Sequence, residues 1–197
     1  MATTIKGIDV SHWQGTNVDF NKVKKAGYDF VMINAGYGKY IDQKDECFET
    51  NYKKAKSAGL KVGAYWYSYA LTSADAELEA EVFLEAIKGK TFEMPIAFDI
   101  EDSSQYDLSA STIGSIINAF CGYCEKKKYY VMLYSYAAFL NSKVPSDCKN
   151  KYCIWLAEFD KSKPSYSGSY GMWQYMNYTP GTLDELLDAN PMPEIAR

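Results

Sequence analysis

Short apolar segments rich in β-branched and aromatic residues recur along this chain and alternate with stretches of helical periodicity. This alternation constrains the fold more than any other feature of the sequence. Strand-like runs fall at residues 6–10, 30–35, 60–69, 94–100, 130–136, 152–158, 171–175 and, more weakly, 183–187. Between them, helical patterns cover 19–26, 47–58, 73–88, 109–127 and a short stretch at 137–141. The helix at 73–88 opens on Thr72-Ser73, a capping signature, and stops at Gly89. Strand, helix, strand in repetition predicts an α/β fold with a parallel sheet covered by helices, and about eight strands in one domain predict closure into a TIM-like (β/α) barrel. After Tyr136 the helical signal nearly vanishes. The last three strands are joined by segments that look short for full helical crossovers, so an irregular barrel with fewer than eight helices, and with some antiparallel pairs, is expected.

The chain has 197 residues, 47% hydrophobic and 23% charged, enough for one domain with a substantial core. Residues 1–190 form that domain, and the Pro-Met-Pro tail from Pro191, residues 191–197, reads as the start of a linker. The net charge is −4, and Lys126-Lys127-Lys128 is the one basic cluster, so nucleic acid is not an expected partner. No apolar run approaches the ~20 residues that span a bilayer, and residues 1–6 lack the charged-then-apolar layout of a signal peptide. The five cysteines at 47, 121, 124, 148 and 153 are an odd number. Cys121 and Cys124 have CxxC spacing but lie in an apolar helical pattern, where they read as small packing residues, and no metal or cofactor is expected.

Barrel enzymes place their chemistry at the C-terminal ends of the strands. The first strand ends in Asp9 within "GIDVSHWQG", the fourth in Asp99 and Glu101 within "FDIED", and the weak last one runs into Asp188. Tyr37, Tyr65, Tyr67, Tyr134, Trp155 and Trp173 gather at the same level, and Glu158 closes the sixth strand. Residues two apart on a strand share a face with Cα atoms roughly 6.6 Å apart, so Asp99 and Glu101 are expected to point together into the barrel mouth. Phe98 and Ile100 then point outward under the helices. An exposed edge strand could carry two acids, but "MPIAFDI" is too apolar for one, and like charges this close repel. In a partly dry pocket that repulsion keeps one acid protonated near neutral pH. A protonated acid beside an ionised one is the equipment for cleaving a glycosidic bond.

Other chemistries fit less well. His12 is the single histidine, which excludes sites built on several histidines, and it reads as a strand-end hydrogen-bonding residue. No G-x-S-x-G occurs, and "GYGKY" at 36–40 lacks both the leading glycine and the Ser or Thr of a P-loop.

Several ordered motifs carry a resemblance. "KGIDVSHWQG", "GAYWYSYA", "FDIED", "VMLYSY", "IWLAEF", "MWQY" and the closing "DAN", running from Lys6 to Asn190, resemble glycoside hydrolase family 25, the lysozymes or N-acetylmuramidases of bacteria and phages. The resemblance implies a flattened, irregular TIM-like barrel that hydrolyses the β-1,4 bond between N-acetylmuramic acid and N-acetylglucosamine in peptidoglycan. It implies Glu101 as proton donor, with Asp9 and Asp188 lining the same pocket. Asp99 either steers the 2-acetamido group of the substrate onto the anomeric carbon or assists a water from the opposite face. Tyr65, Tyr67, Tyr134 and Trp173 are implied to stack on or hydrogen-bond the sugars. The chain departs from the family pattern in "YWY" at 65–67, where relatives carry "YHF", and at Glu158, where a neutral or basic residue is usual.

The expected partner is the peptidoglycan glycan strand, met by a monomer that needs no membrane. The expected place of action is the bacterial cell wall, reached extracellularly or, for a phage protein without a leader, by release from the host cytoplasm. A non-catalytic glycan-binding barrel is the alternative from another class, and the intact Asp9, Asp99, Glu101 and Asp188 set argues against it. A chitinase-like reading would require Asp at 94 and 97, where this chain has Met94 and Ala97.

Overall fold

The computed structural model describes residues 5–176. Seven strands, β1 Gly7–Val10, β2 Phe30–Tyr37, β3 Lys61–Tyr67, β4 Ile96–Asp99, β5 Val131–Tyr136, β6 Cys153–Ala157 and β7 Met172–Gln174, form one sheet in sequence order. Every neighbouring pair is parallel. Among the described residues six α-helices accompany them: α1 Phe20–Lys25, α2 Phe48–Ser57, α3 Ser73–Ala86, α4 Ala110–Lys126, α5 Ala137–Ser142 and α6 Ser146–Lys151. The eighth strand expected at 183–187 lies outside the described residues.

Two expectations are corrected. Among the described residues the strands after Tyr136 make no antiparallel pairs, because α5 and α6 carry the β5–β6 crossover, and the loop 158–171 exceeds the dozen or so residues that a parallel connection needs. The described sheet is also not a closed eight-stranded barrel, since β1 and β7 are its two edges. It curls instead. Gln174 at the end of β7 donates from Nε2 to Asp9 Oδ2 on β1 at 2.9 Å, so the edges approach at their C-terminal ends.

The curl gives the sheet two faces with different contents. On the outer face Val31, Ile33, Val62, Trp66, Ile96, Phe98, Leu133, Ile154 and Leu156 join the helices in one core. On the inner face Phe30, Met32, Ala97, Met132, Tyr134, Trp155, Ala157 and Met172 fill the bottom of the curl. Period-two alternation in each strand sorts the residues in this way. Space on the inner face is tight. A Cβ on Gly63 would come within 2.5 Å of the carbonyl oxygen of Pro95.

An aromatic stack anchors β3 and β4 to the helices. Phe98 lies on Phe120 of α4 at a centroid distance of 4.0 Å, Phe120 meets Phe83 of α3 at 6.0 Å, and Phe83 meets Trp66 of β3 at 5.4 Å. All four are fully buried. Ser109 and Thr72 cap α4 and α3 by accepting backbone N–H groups of Thr112 and Asp75, each at 3.1 Å, so both helices start at fixed points over the sheet. Replacing Phe120 with Ala should remove the centre of the stack and cost about 3–5 kcal/mol, read as a lowered midpoint in denaturant unfolding. A loss under about 1 kcal/mol would mean that the stack does not hold these layers together.

Candidate active site

The site is built around the end of β4. In "IAFD" the side chains of Ile96 and Phe98 turn to the helices, which leaves Ala97 and Asp99 on the inner face. The backbone stays attached to β5 beyond the strand: Ile100 N donates to Tyr134 O at 3.1 Å, and Ser135 Oγ donates to Ile100 O at 2.5 Å. Glu101 thus follows Asp99 on the same side, partly buried. Asp102 then turns away. Its carboxylate caps the 3-10 turn Ser103–Gln105 by accepting Ser104 N at 2.9 Å, and it accepts the Tyr67 hydroxyl at 3.1 Å. Burial alone would raise the Asp102 carboxyl, but these hydrogen bonds outweigh it and hold it below the usual range.

Asp9 approaches from β1. The carboxamide of Gln174 donates to Asp9 and accepts the Tyr134 hydroxyl at 2.6 Å, which links β1, β7 and β5 through one neutral side chain. Asp99 is 4% exposed. One buried oxygen of Asp99 and one of Glu101, Oδ1 and Oε2, have no hydrogen-bond partner. Burial, and after it the charges of Glu101 and Asp9, hold the Asp99 carboxyl well above the usual carboxylate range. Burial and the charges of Asp102 and Asp9 push Glu101 up to about 7. Asp9 is raised by burial against the opposing hydrogen bond from Gln174. Like charges this close cannot all ionise near neutrality, so Asp99 and Glu101 titrate as a unit and retain a proton there.

Tyrosines surround the acids. Burial and the charges of Asp9 and Asp99 hold the Tyr65 hydroxyl well above its usual range, and Asn34 of β2 hydrogen-bonds it. Burial and the charges of Glu101 and Asp99 do the same to Tyr134 and push Tyr136 up to about 12. These hydroxyls therefore keep their protons near neutral pH. Trp155, 3% exposed, meets Tyr134 and Tyr65 edge-on at 4.7 and 5.8 Å and acts as a floor beneath them. Tyr67, Tyr69 and Tyr37 form the rim, with centroids 5.1 and 5.9 Å apart in turn, and Tyr37 is 42% exposed.

The structure thus brings together Asp9, Asp99, Glu101, Tyr65, Tyr67, Tyr134 and Trp155, with Tyr37 at the edge. It does not bring Trp173 or Glu158 to them. Trp173 packs in the outer core and donates from Nε1 to Glu158 O at 2.9 Å, because alternation along β7 puts Met172 and Gln174 inside. Glu158 turns into the following loop and accepts Ser165 N at 2.7 Å and Ser165 Oγ at 2.6 Å. Asp188 lies outside the described residues. The sequence reading passed over Gln174, Asn34, Tyr136 and Tyr69. For Tyr136 the signal was present, since it is two residues from Tyr134 on one strand. His12 is tied to the buried Asp45, through its backbone N at 2.8 Å and Nδ1 at 3.3 Å, and so braces the loop beside β1. Among the described residues no cluster of His, Cys, Asp and Glu could hold a metal ion.

Comparison with known proteins gives the family. The family model for glycosyl hydrolases family 25 matches residues 8–181. The autolytic lysozyme of Clostridium acetobutylicum is 36% identical over 171 residues, which are 87% of this chain and 50% of that protein. Lysozyme M1 of Streptomyces globisporus is 30% identical over 185 residues, 89% of this chain and 62% of that protein. The chain therefore spans between half and two thirds of the length of these curated relatives. A family GH25 lysozyme from Aspergillus fumigatus superposes with a TM-score of 0.78 at 26% identity, covering 94% of this chain and 98% of that one. With a family model spanning β1 to beyond β7, and relatives that match over most of the chain, this protein belongs to glycosyl hydrolases family 25.

Proposed function

We propose that the chain is a lysozyme, an N-acetylmuramidase that hydrolyses the β-1,4 bond between N-acetylmuramic acid and N-acetylglucosamine in peptidoglycan of the bacterial cell wall. The observation that carries this reading is the Asp99–Glu101 pair, buried at a strand end with unpartnered oxygens and with Glu101 pushed up to about 7. Glu101, protonated near neutrality, gives its proton to the leaving glycosidic oxygen. Asp99 assists on the anomeric side, where the 2-acetamido oxygen of the substrate or a water forms the new bond to the anomeric carbon as the bond to the leaving group breaks, and water finally takes up the released sugar end. Asp9, oriented by Gln174, adds negative charge to the same pocket and so favours the protonated form of its neighbours. Asp188 joins them as the fourth acid on the strength of its "DAN" motif. Tyr65, Tyr67 and Tyr134 offer ring faces and hydroxyl oxygens to the sugars, with Tyr37 further along the rim and Trp155 supporting from below. Among the described residues no helix is long and apolar enough to cross a membrane.

Mass spectrometry of digested peptidoglycan tests the assignment directly. New reducing ends are expected on N-acetylmuramic acid; ends on N-acetylglucosamine, or no new ends, would overturn it. Glu101→Gln removes the transferable proton with little change of volume, so turnover should fall roughly a hundredfold or more while the circular dichroism spectrum is kept. A variant retaining more than about a tenth of wild-type turnover would sink the role given to Glu101. The pH dependence follows from the same group. Activity should decline as pH rises through about 7, where Glu101 loses its proton.

Stability should follow the same titration. The native state holds a proton on Glu101 that the unfolded chain releases near 4.5. Stability from this group is therefore fully present below pH 4.5, drains as pH rises toward about 7 and is level above it. Thermal midpoints measured from pH 5 to 8 should fall with rising pH in the wild type and fall less in Glu101→Gln. Identical slopes would show that Glu101 is not held in its protonated form by the fold.

A further inference from the structure

Glu79 of α3 is 1% exposed, and the chemistry above gives it no part. An acid inside the helix–sheet layer costs stability unless it is held by partners. Its Oε1 accepts the backbone N–H of Tyr69 at 2.9 Å, and the Ser68 hydroxyl also hydrogen-bonds its carboxyl, while the buried Oε2 has no partner. Burial, only partly offset by these bonds, pushes the carboxyl up to about 7. The same turn is gripped from its other side by Gln105, itself fully buried. Gln105 Nε2 donates to Ser68 O at 3.3 Å and Ala70 O at 3.1 Å, and it reaches Ser68 Oγ at 3.4 Å. Ser68 N in turn donates to Asp99 O at 2.9 Å. Residues 68–70 are thus clamped between α3, the turn that follows Glu101 and Asp102, and the end of β4. The rim tyrosines Tyr67 and Tyr69 flank Ser68.

We propose that Glu79 is a positioning residue for the cleft: through the turn 68–70 it holds Tyr67 and Tyr69 against the pocket of Asp99 and Glu101 without itself meeting the glycan. A leucine would fill this site in the core at lower desolvation cost, but it would leave the Tyr69 N–H without an acceptor. The proposal rests on the reading of the cleft as a glycan site.

The test compares Glu79→Gln and Glu79→Leu in the full chain, with peptidoglycan turnover assayed below both thermal midpoints and hydrogen exchange followed at the Tyr69 amide. Gln keeps an acceptor for Tyr69, so its KM and exchange protection should stay near wild type. Leu should raise KM about tenfold with a smaller change in kcat, as expected when sugar-contacting side chains lose their placement, and should speed exchange at Tyr69. Wild-type KM and protection in Glu79→Leu would overturn the proposal. So would a Gln variant as impaired as Leu, or a loss that only tracks the unfolded fraction. Should Glu79→Leu fail to fold, Glu79→Met removes the acceptor with a more adaptable side chain, and wild-type KM and Tyr69 protection there would overturn it equally. If the wild type releases no saccharide, the lysozyme reading fails, while the exchange comparison still decides whether Glu79 holds the turn.

Discussion

The contact of Phe98 with Phe120 is the interaction on which the rest depends. By committing one face of β4 to the helices, it commits the other face to the inside of the curl, and in a strand of period two that face is Ala97, Asp99 and, past the strand end, Glu101. A shift of β4 by one residue would place Asp99 under α4 and Phe98 in the cleft, so the apolar clamp also enforces the position of the acids. Repulsion among Asp9, Asp99 and Glu101 opposes this arrangement, and the outer core supplies the burial that outweighs it. The strain of the site is borne by packing on the far side of the same strand.

Around the acids, the fold uses neutral groups as connectors and charged groups as reagents. Gln174 joins Asp9 to Tyr134 with no charge of its own, and Gln105 joins the turns after β3 and β4 in the same manner. An amide can donate and accept at once, and it keeps that capacity when pH changes. Asp102, beside Glu101 in sequence, is the contrasting case. Its hydrogen bonds from Ser104 and Tyr67 hold it ionised, which adds a fixed negative charge next to a carboxyl that has to retain its proton.

The strand–helix alternation and the inward face of "FDIED" were legible in the sequence because both follow from periodicity within long, strongly patterned segments. The strands at 30–37 and 131–136, expected at 30–35 and 130–136, were readable for the same reason. The phase of β7 was not. It is three residues long, and "MWQY" offers an aromatic on one phase and an amide on the other. Choosing Trp173 as the sugar contact weighted residue type over alternation, and the structure puts Gln174 inside. Helix α6 was missed because "SDCKNK" buries Cys148 alone and shows no apolar periodicity. The parallel pairing of β6 with β7 was obscured because their connection holds no helix, and a loop of that length admits either direction. Gln105 and Glu79 could not be found by pattern, since each is polar in a place where only a three-dimensional neighbour gives it purpose.

The strand order has a consequence for how the molecule comes together. Each strand lies beside the one before it in the chain, so the sheet can grow from β1 onward with each connection closing over a modest length. The bond between Asp9 and Gln174 is the exception, since it joins two residues 165 positions apart. Asp9 is among the first residues of the sheet to be synthesised, yet its partner arrives with the last described strand. During assembly the acid pocket therefore stays open on its β1 side until β7 docks, so that docking β7 and closing this side of the pocket are one event.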